Sequence, residues 1–144
     1  IVLGNTQLRR YQDNLYCLDA GQQPWSFKTI VFITQEYVAI KPQRQQMMVG
    51  KPQEGALCSV SVAAAEGHFS LSQPVLSLPV KPVGETHHKP LKQWFKQWQV
   101  PPWERSDWLL LSDRDQSLAL VGKGRIIALS ATGPKRFLVQ LFAL

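Results

Sequence analysis

Only one stretch of this chain has a helical period, and prolines close it at both ends. Leu91, Trp94, Phe95 and Trp98 fall at i, i+3, i+4 and i+7 behind Pro90, and Pro101-Pro102 stop any continuation one turn later. Everything else comes in short apolar runs set apart by Pro, Gly and Gln clusters, with no internal repeat. Such a chain can bury itself only as strands packed around, or under, one short helix. The expected class is α+β: mainly antiparallel strands, one prominent amphipathic helix over about 89–98, and a rigid Pro101-Pro102-Trp103 corner after it.

On a wheel started at Lys89 the four apolar positions centre near about 190°, while Lys89, Lys92 and Lys96 fall within about 60° of one another on the opposite side. The helix is therefore expected to bury Trp94 and Trp98 and to display lysines. Pro90 fits the first turn, where a missing N–H does no harm. Thr86-His87-His88 add donors beside a helix N-terminus whose unpaired N–H groups favour an anion. A solvated lysine face would look the same, but here no acids alternate with the lysines. Trp103 reads as a packing wedge beneath the corner, and Arg105 has three options: Glu104, Asp107 or an external phosphate.

The strand-like runs are Thr29–Thr34, Tyr37–Ile40, Cys58–Val62, Val75–Val80, Asp107–Leu111, Ser117–Val121, Arg125–Leu129 and Arg136–Phe142. Ser112–Gln116 and Gly122-Lys123-Gly124 supply hairpin turns, so the last third is expected to be an antiparallel meander. Gly122-Lys123-Gly124 lacks the long glycine loop and helix of a phosphate-binding site. Lys41–Gln46 followed by Gly50-Lys51-Pro52 reads as a polar connection and marks the best internal boundary.

Sixteen Lys and Arg against ten Asp and Glu leave a formal charge of +6 in 144 residues, which favours an anionic partner, nucleic acid first. No apolar run approaches the roughly 20 residues of a membrane span, and the start lacks a signal-peptide layout, so a soluble, cytoplasmic protein is expected. Ile1 in place of an initiating Met leads us to expect a piece of a longer polypeptide. Cys17 and Cys58 are too few for a disulfide scaffold and are expected to be reduced and mostly buried. The histidines are His68, His87 and His88, and no motif around them supports a catalytic triad or a metal site. The carboxylates Asp13, Asp19, Glu36, Glu54, Glu66, Glu85, Glu104, Asp107, Asp113 and Asp115 are scattered, the 113/115 pair flanking a turn. No catalytic residue, metal ligand or cofactor is expected in this chain.

His88-Lys89-Pro90-Leu91-Lys92-Gln93-Trp94-Phe95, followed by Val100-Pro101-Pro102-Trp103-Glu104-Arg105, closely resembles the C-terminal domain of tRNA(Ile)-lysidine synthetase. Leu109-Leu110-Leu111, a polar turn and Leu118-Ala119-Leu120-Val121 look like that family's paired strands. Leu8–Tyr16 resembles the basic-aromatic stretch where the family's central substrate-recognition domain runs toward this one. The likeness is continuous from about Val75 to the end; Thr29 to Ser72 is unmatched.

The resemblance implies a ligase that adenylates the wobble cytidine of an isoleucine tRNA with a CAU anticodon, using ATP, after which lysine displaces AMP to give lysidine. It places that chemistry in an N-terminal domain whose Ser-Gly-Gly-type pyrophosphatase loop this sequence lacks, so ATP is expected there. It divides the chain into 1–50, the end of the central domain with connecting strands, and 51–144, a C-terminal tRNA-binding domain. The implied partners are tRNA(Ile), at its acceptor region, and the missing N-terminal catalytic domain; no membrane is implied, and a second copy of the chain is left open. Lys89, Lys92, Lys96 and Arg105 match the family motif and take a tRNA-contacting role from it, with His88 beside them. Thr86-His87-His88 departs from the more arginine- and glycine-rich stretch often seen there. The alternative is an interdomain or protein–protein docking module without RNA contact, since strand edges and exposed tryptophans also mark protein interfaces.

Overall fold

The computed structural model describes residues 27–144, Pro42 by its backbone alone, together with the backbone of 2–3, 6–11 and 14–19. The N-terminal strands β1 (Val2–Leu3), β2 (Thr6–Tyr11) and β3 (Asn14–Asp19) pair antiparallel in chain order. The basic-aromatic stretch Leu8–Tyr16 lies on this hairpin, and its side chains, like that of Cys17, are outside the described residues.

From residue 30 onward two antiparallel sheets form. Their strands are β4 (Ile30–Phe32), β5 (Tyr37–Ile40), β6 (Gln45–Gly50), β7 (Cys58–Ala64), β8 (Phe69–Ser72), β11 (Leu109–Asp113), β12 (Gln116–Gly122), β13 (Arg125–Ala128) and β14 (Lys135–Ala143). One sheet has the order β13-β12-β11-β8-β4 and the other β5-β6-β14-β7. Two short strands, β9 (Pro79–Val80) and β10 (Lys89–Pro90), pair with each other ahead of the helix α1 (Leu91–Gln97). The described chain is thus mostly antiparallel β, with one α-helix and two 3-10 helices, Lys41–Gln43 and Pro102–Asp107.

The two sheets share one core. Phe32, Val38, Ile40, Met47, Val49, Val62, Phe69, Leu71, Leu109, Leu111, Val121, Val139 and Leu141 form a continuous buried cluster. A second cluster lies on the other side of the five-stranded sheet, where Leu110 and Leu120 meet Leu91, Trp94, Phe95, Val100 and Trp108. Strands β11 and β12 are therefore covered on both faces, which is why Leu109-Leu110-Leu111 and Leu118–Val121 are apolar without a polar alternate. The register of β11 against β12 shifts after Leu111, which pairs with Ala119 while Ser112 pairs with Ser117. Leu118 is the extra residue of this bulge, and it joins Ala119 in the inner core.

Several expectations about individual elements change. The meander holds for β11, β12 and β13, but β14 leaves it to run between β6 and β7 in the other sheet. A nine-residue strand with Val139, Gln140, Leu141 and Phe142 all buried needs a neighbour on each side, and only the second sheet offers two. Gln45 and Gln46, read as polar connection, open β6, a central strand; β8 had no strand reading at all. Val75–Val80 is mostly turn, with only Pro79–Val80 extended. The helix is shorter than 89–98, because Lys89 and Pro90 are held extended against Val80 and Pro79. Residue 50 ends β6, whose partner β14 pairs Gly50 with Leu138, so the segments before and after it share a sheet.

Candidate nucleic-acid interface

The helix is defined by its ends. At its start Leu91 and Lys92 donate their backbone N–H groups to the carbonyl oxygens of Leu78 and Leu76, at 2.8 and 2.9 Å. Two of the donors read as open to an anion are thus already used by the 75–78 turn. At its end Gln99 takes a left-handed φ of 59°, its N–H bonds to the Lys96 carbonyl, and the Val100 N–H bonds to that of Phe95. This is a Schellman closure with Val100 tucked into the apolar cluster beside Phe95. Pro101 then leads the 3-10 helix Pro102–Asp107.

Leu91, Trp94 and Phe95 are buried, as the wheel requires, and Trp98 is half-buried. Trp94 Nε1 donates to the Val80 carbonyl at 2.8 Å. Lys92 and Lys96 stand exposed on the opposite face, and no ion pair among the described residues involves them. Lys89 is separated from them by its place on β10. Its Nζ lies 4.7 Å from the centre of the Trp94 ring and 3.5 Å from Gln97 Oε1, on the flank of the helix. His88 is exposed and lines a cavity of about 250 Å³ with Pro79, Val80, Lys81, Ser117 and Leu129.

Arg105 is largely buried, unlike the two helix lysines. Only 9% of it is exposed, and its Nε donates to the Val100 carbonyl at 2.9 Å. Through this bond the guanidinium ties the end of the proline corner back to its beginning, facing inward. Beside it, burial raises the carboxyl of Glu104 above the ordinary range, with Asp107 adding to the rise and Lys123 opposing it. Burial raises Asp107 likewise.

One cation that the sequence placed merely at the start of a strand belongs to this surface. Exposed Arg125 puts its guanidinium 5.7 Å from the ring centres of both Trp98 and Trp108. Those indoles continue a stack from Trp94, with centroids 5.8 Å apart for Trp94–Trp98 and 6.3 Å for Trp98–Trp108. A row of three indoles thus carries Lys89 at one end and Arg125 at the other. Nothing local in the sequence joins Arg125 to Trp98; only the packing of β13 beside α1 does. Gly122, paired with Arg125 across the hairpin, makes room for the Trp108 indole, since a Cβ there would sit 2.9 Å from that ring.

The remaining polar groups are structural. Asp113 is 3% exposed and accepts N–H bonds from Glu66, Gly67 and His68 at 2.8, 3.0 and 3.0 Å. Burial pushes its carboxyl up, but these backbone donors outweigh it and hold the group below its usual range. His68 lies 3.7 Å from Glu66, which also pairs with Arg114. Cys58 is a half-buried free thiol whose pKa burial raises. No group of three or more His, Cys, Asp or Glu among the described residues could hold a metal ion. No helix there is long and apolar enough to cross a membrane.

The helix, the corner and β11–β13 all fall within residues 75–135, which match the family described as the TilS substrate C-terminal domain. A curated relative, tRNA(Ile)-lysidine synthase of Vibrio atlanticus (strain LGP32), is 24% identical over 128 residues, or 85% of this chain and 28% of its own length. The chain thus spans less than a third of that relative. A crystal structure of the TILS C-terminal domain superposes with a TM-score of 0.56 at 18% identity, covering 81% of this chain and 98% of that one, which shows a shared fold. With its helix, corner and meander inside the matched segment, this chain is similar, over residues 75–135, to the C-terminal domain of the tRNA(Ile)-lysidine synthetase family.

Proposed function

We propose that this chain grips tRNA(Ile), by its acceptor region, on behalf of a ligase that converts the wobble cytidine of the CAU anticodon to lysidine. ATP and lysine are handled by the parent enzyme's N-terminal domain, and a cytoplasmic setting goes with that work. The observation that carries the reading is the pair Lys92 and Lys96, exposed on the helix face opposite the buried Leu91, Trp94 and Phe95, in a chain of charge +6. A sheet-backed helix presenting cations suits recognition of phosphates and shape more than of base edges.

The test is binding of the chain to an isoleucine tRNA transcript, with an unrelated tRNA alongside, over a series of salt concentrations. Phosphate contact makes affinity fall steeply with salt, each neutralised phosphate adding about 0.7–0.9 to the logarithmic slope. No binding at low salt would sink the reading. A second reading, docking against the rest of the parent enzyme, is favoured by Val31 and Ile33, 77% and 62% exposed at the β4 edge of the five-stranded sheet. Failure to bind tRNA, together with capture of the parent's remaining domains, would select it.

A further inference from the structure

Within that tRNA-gripping reading, we propose that Arg125, laid over the indoles of Trp98 and Trp108, is a fixed phosphate clamp of the interface. An ordinary exposed arginine gives up much rotamer freedom when it binds, which subtracts from its affinity. Arg125 has given up part of that freedom in advance, because its guanidinium lies 5.7 Å from two ring centres whose planes are only 28° apart. A cation–π contact makes no use of the N–H donors, so a guanidinium held beside the rings keeps its fork for two parallel bonds to a phosphate.

The surroundings favour Arg125 over its neighbours. No carboxylate pairs with it among the described residues, whereas Lys123, two positions away, interacts with Glu104. Arg105 is turned inward. The other cation on this indole row is Lys89, over Trp94, whereas Lys92 and Lys96 stand on the opposite face of α1, so the clamp grips from the tryptophan side of the helix. A phosphodiester is favoured over a protein carboxylate because the row's other cation is Lys89, which no ion pair among the described residues engages, in a chain of charge +6.

The experiment measures tRNA(Ile) transcript binding across salt for the unaltered chain, Arg125→Gln, Arg125→Lys, Trp98→Leu and the double variant Lys92→Gln/Lys96→Gln, with thermal melts of each. Arg125→Gln is expected to weaken binding about tenfold and to lower the salt slope by about 0.7–0.9. Arg125→Lys should restore the slope but not the full affinity, since a point charge lacks the fork. Trp98→Leu should weaken binding while leaving the slope in place, because the charge stays and only its platform goes. Unchanged affinity and slope in Arg125→Gln, with weakened binding in the lysine variant, would overturn the clamp and leave the tRNA reading standing. No salt-dependent binding by the unaltered chain would overturn both. Should Arg125→Gln melt early, the Arg125→Lys and Trp98→Leu pair decides: equal to the unaltered chain in both affinity and slope, they refute the clamp.

Discussion

The indole N–H of Trp94 is spent on the backbone of Val80, donating to its carbonyl oxygen at 2.8 Å from inside the helix-side core. Trp94, which its helical spacing assigns to the core, is thereby fixed as structure, with 1% of its surface exposed. Trp94→Ala should cost about 3–5 kcal/mol, from the cavity it leaves. Trp94→Phe keeps most of the volume but strands a buried acceptor, and should cost about 1–3 kcal/mol. Denaturant midpoints measure both; an unaltered midpoint in the alanine variant would contradict this placement.

Lys92→Glu with Lys96→Glu should weaken tRNA binding without altering the melt, because both side chains stand in solvent. Arg105→Ala should do the reverse in kind, losing about 2–4 kcal/mol of stability through the buried bond to Val100 and the packing around it. Circular dichroism melts run beside a binding titration separate the two. A stable Arg105→Ala that binds tRNA poorly would return Arg105 to the interface.

Asp113 should make stability depend on acid pH. Its folded carboxyl is held below the unfolded value, so its contribution is fully present above about pH 4, the ordinary carboxylate range, and is lost as pH falls through the lower folded value. Asp113→Asn removes the charge from three backbone donors and should cost about 2–3 kcal/mol at neutral pH. The gap between the two proteins should hold from pH 5 to 7 and shrink below about pH 4, as read from urea unfolding at each pH. A gap independent of pH would show that the charge contributes nothing.

Gln99 closes the helix in a conformation that side chains resist, at φ 59°. Gln99→Gly relieves that resistance where only backbone bonds are made, and should stabilise the chain by about 0.5–1 kcal/mol. The thermal midpoint should rise; a fall would mean that the Gln99 side chain supplies something the Schellman closure does not.

Much of the fold could be read locally. The helix centre at Leu91–Trp98 and the hairpins joining β11, β12 and β13 are legible because their periods and turn residues act over a few neighbouring positions. Lys92 and Lys96 were legible for the same reason, their exposure following from the buried face opposite. Strand β6 was not. Gln43 and Gln45 look like loop residues, yet Gln45 is 2% exposed, its amide donating to Gly122 O at 2.8 Å and accepting from Gly124 N at 2.9 Å. Those partners lie 77 and 79 residues away, and no local window holds them.

Pattern along the chain was thus enough for the antiparallel class, the single helix and its lysine face, since each depends on side chains one or two turns apart. Tertiary packing decided which sheet β14 joins, that the helix N-terminus is closed by Leu76 and Leu78, that Arg105 turns in and that Arg125 lies on tryptophan. Whether a polar group is buried or exposed depends on which hydrogen-bond partners and flat apolar surfaces meet it. In this fold those are brought from strands far apart in sequence.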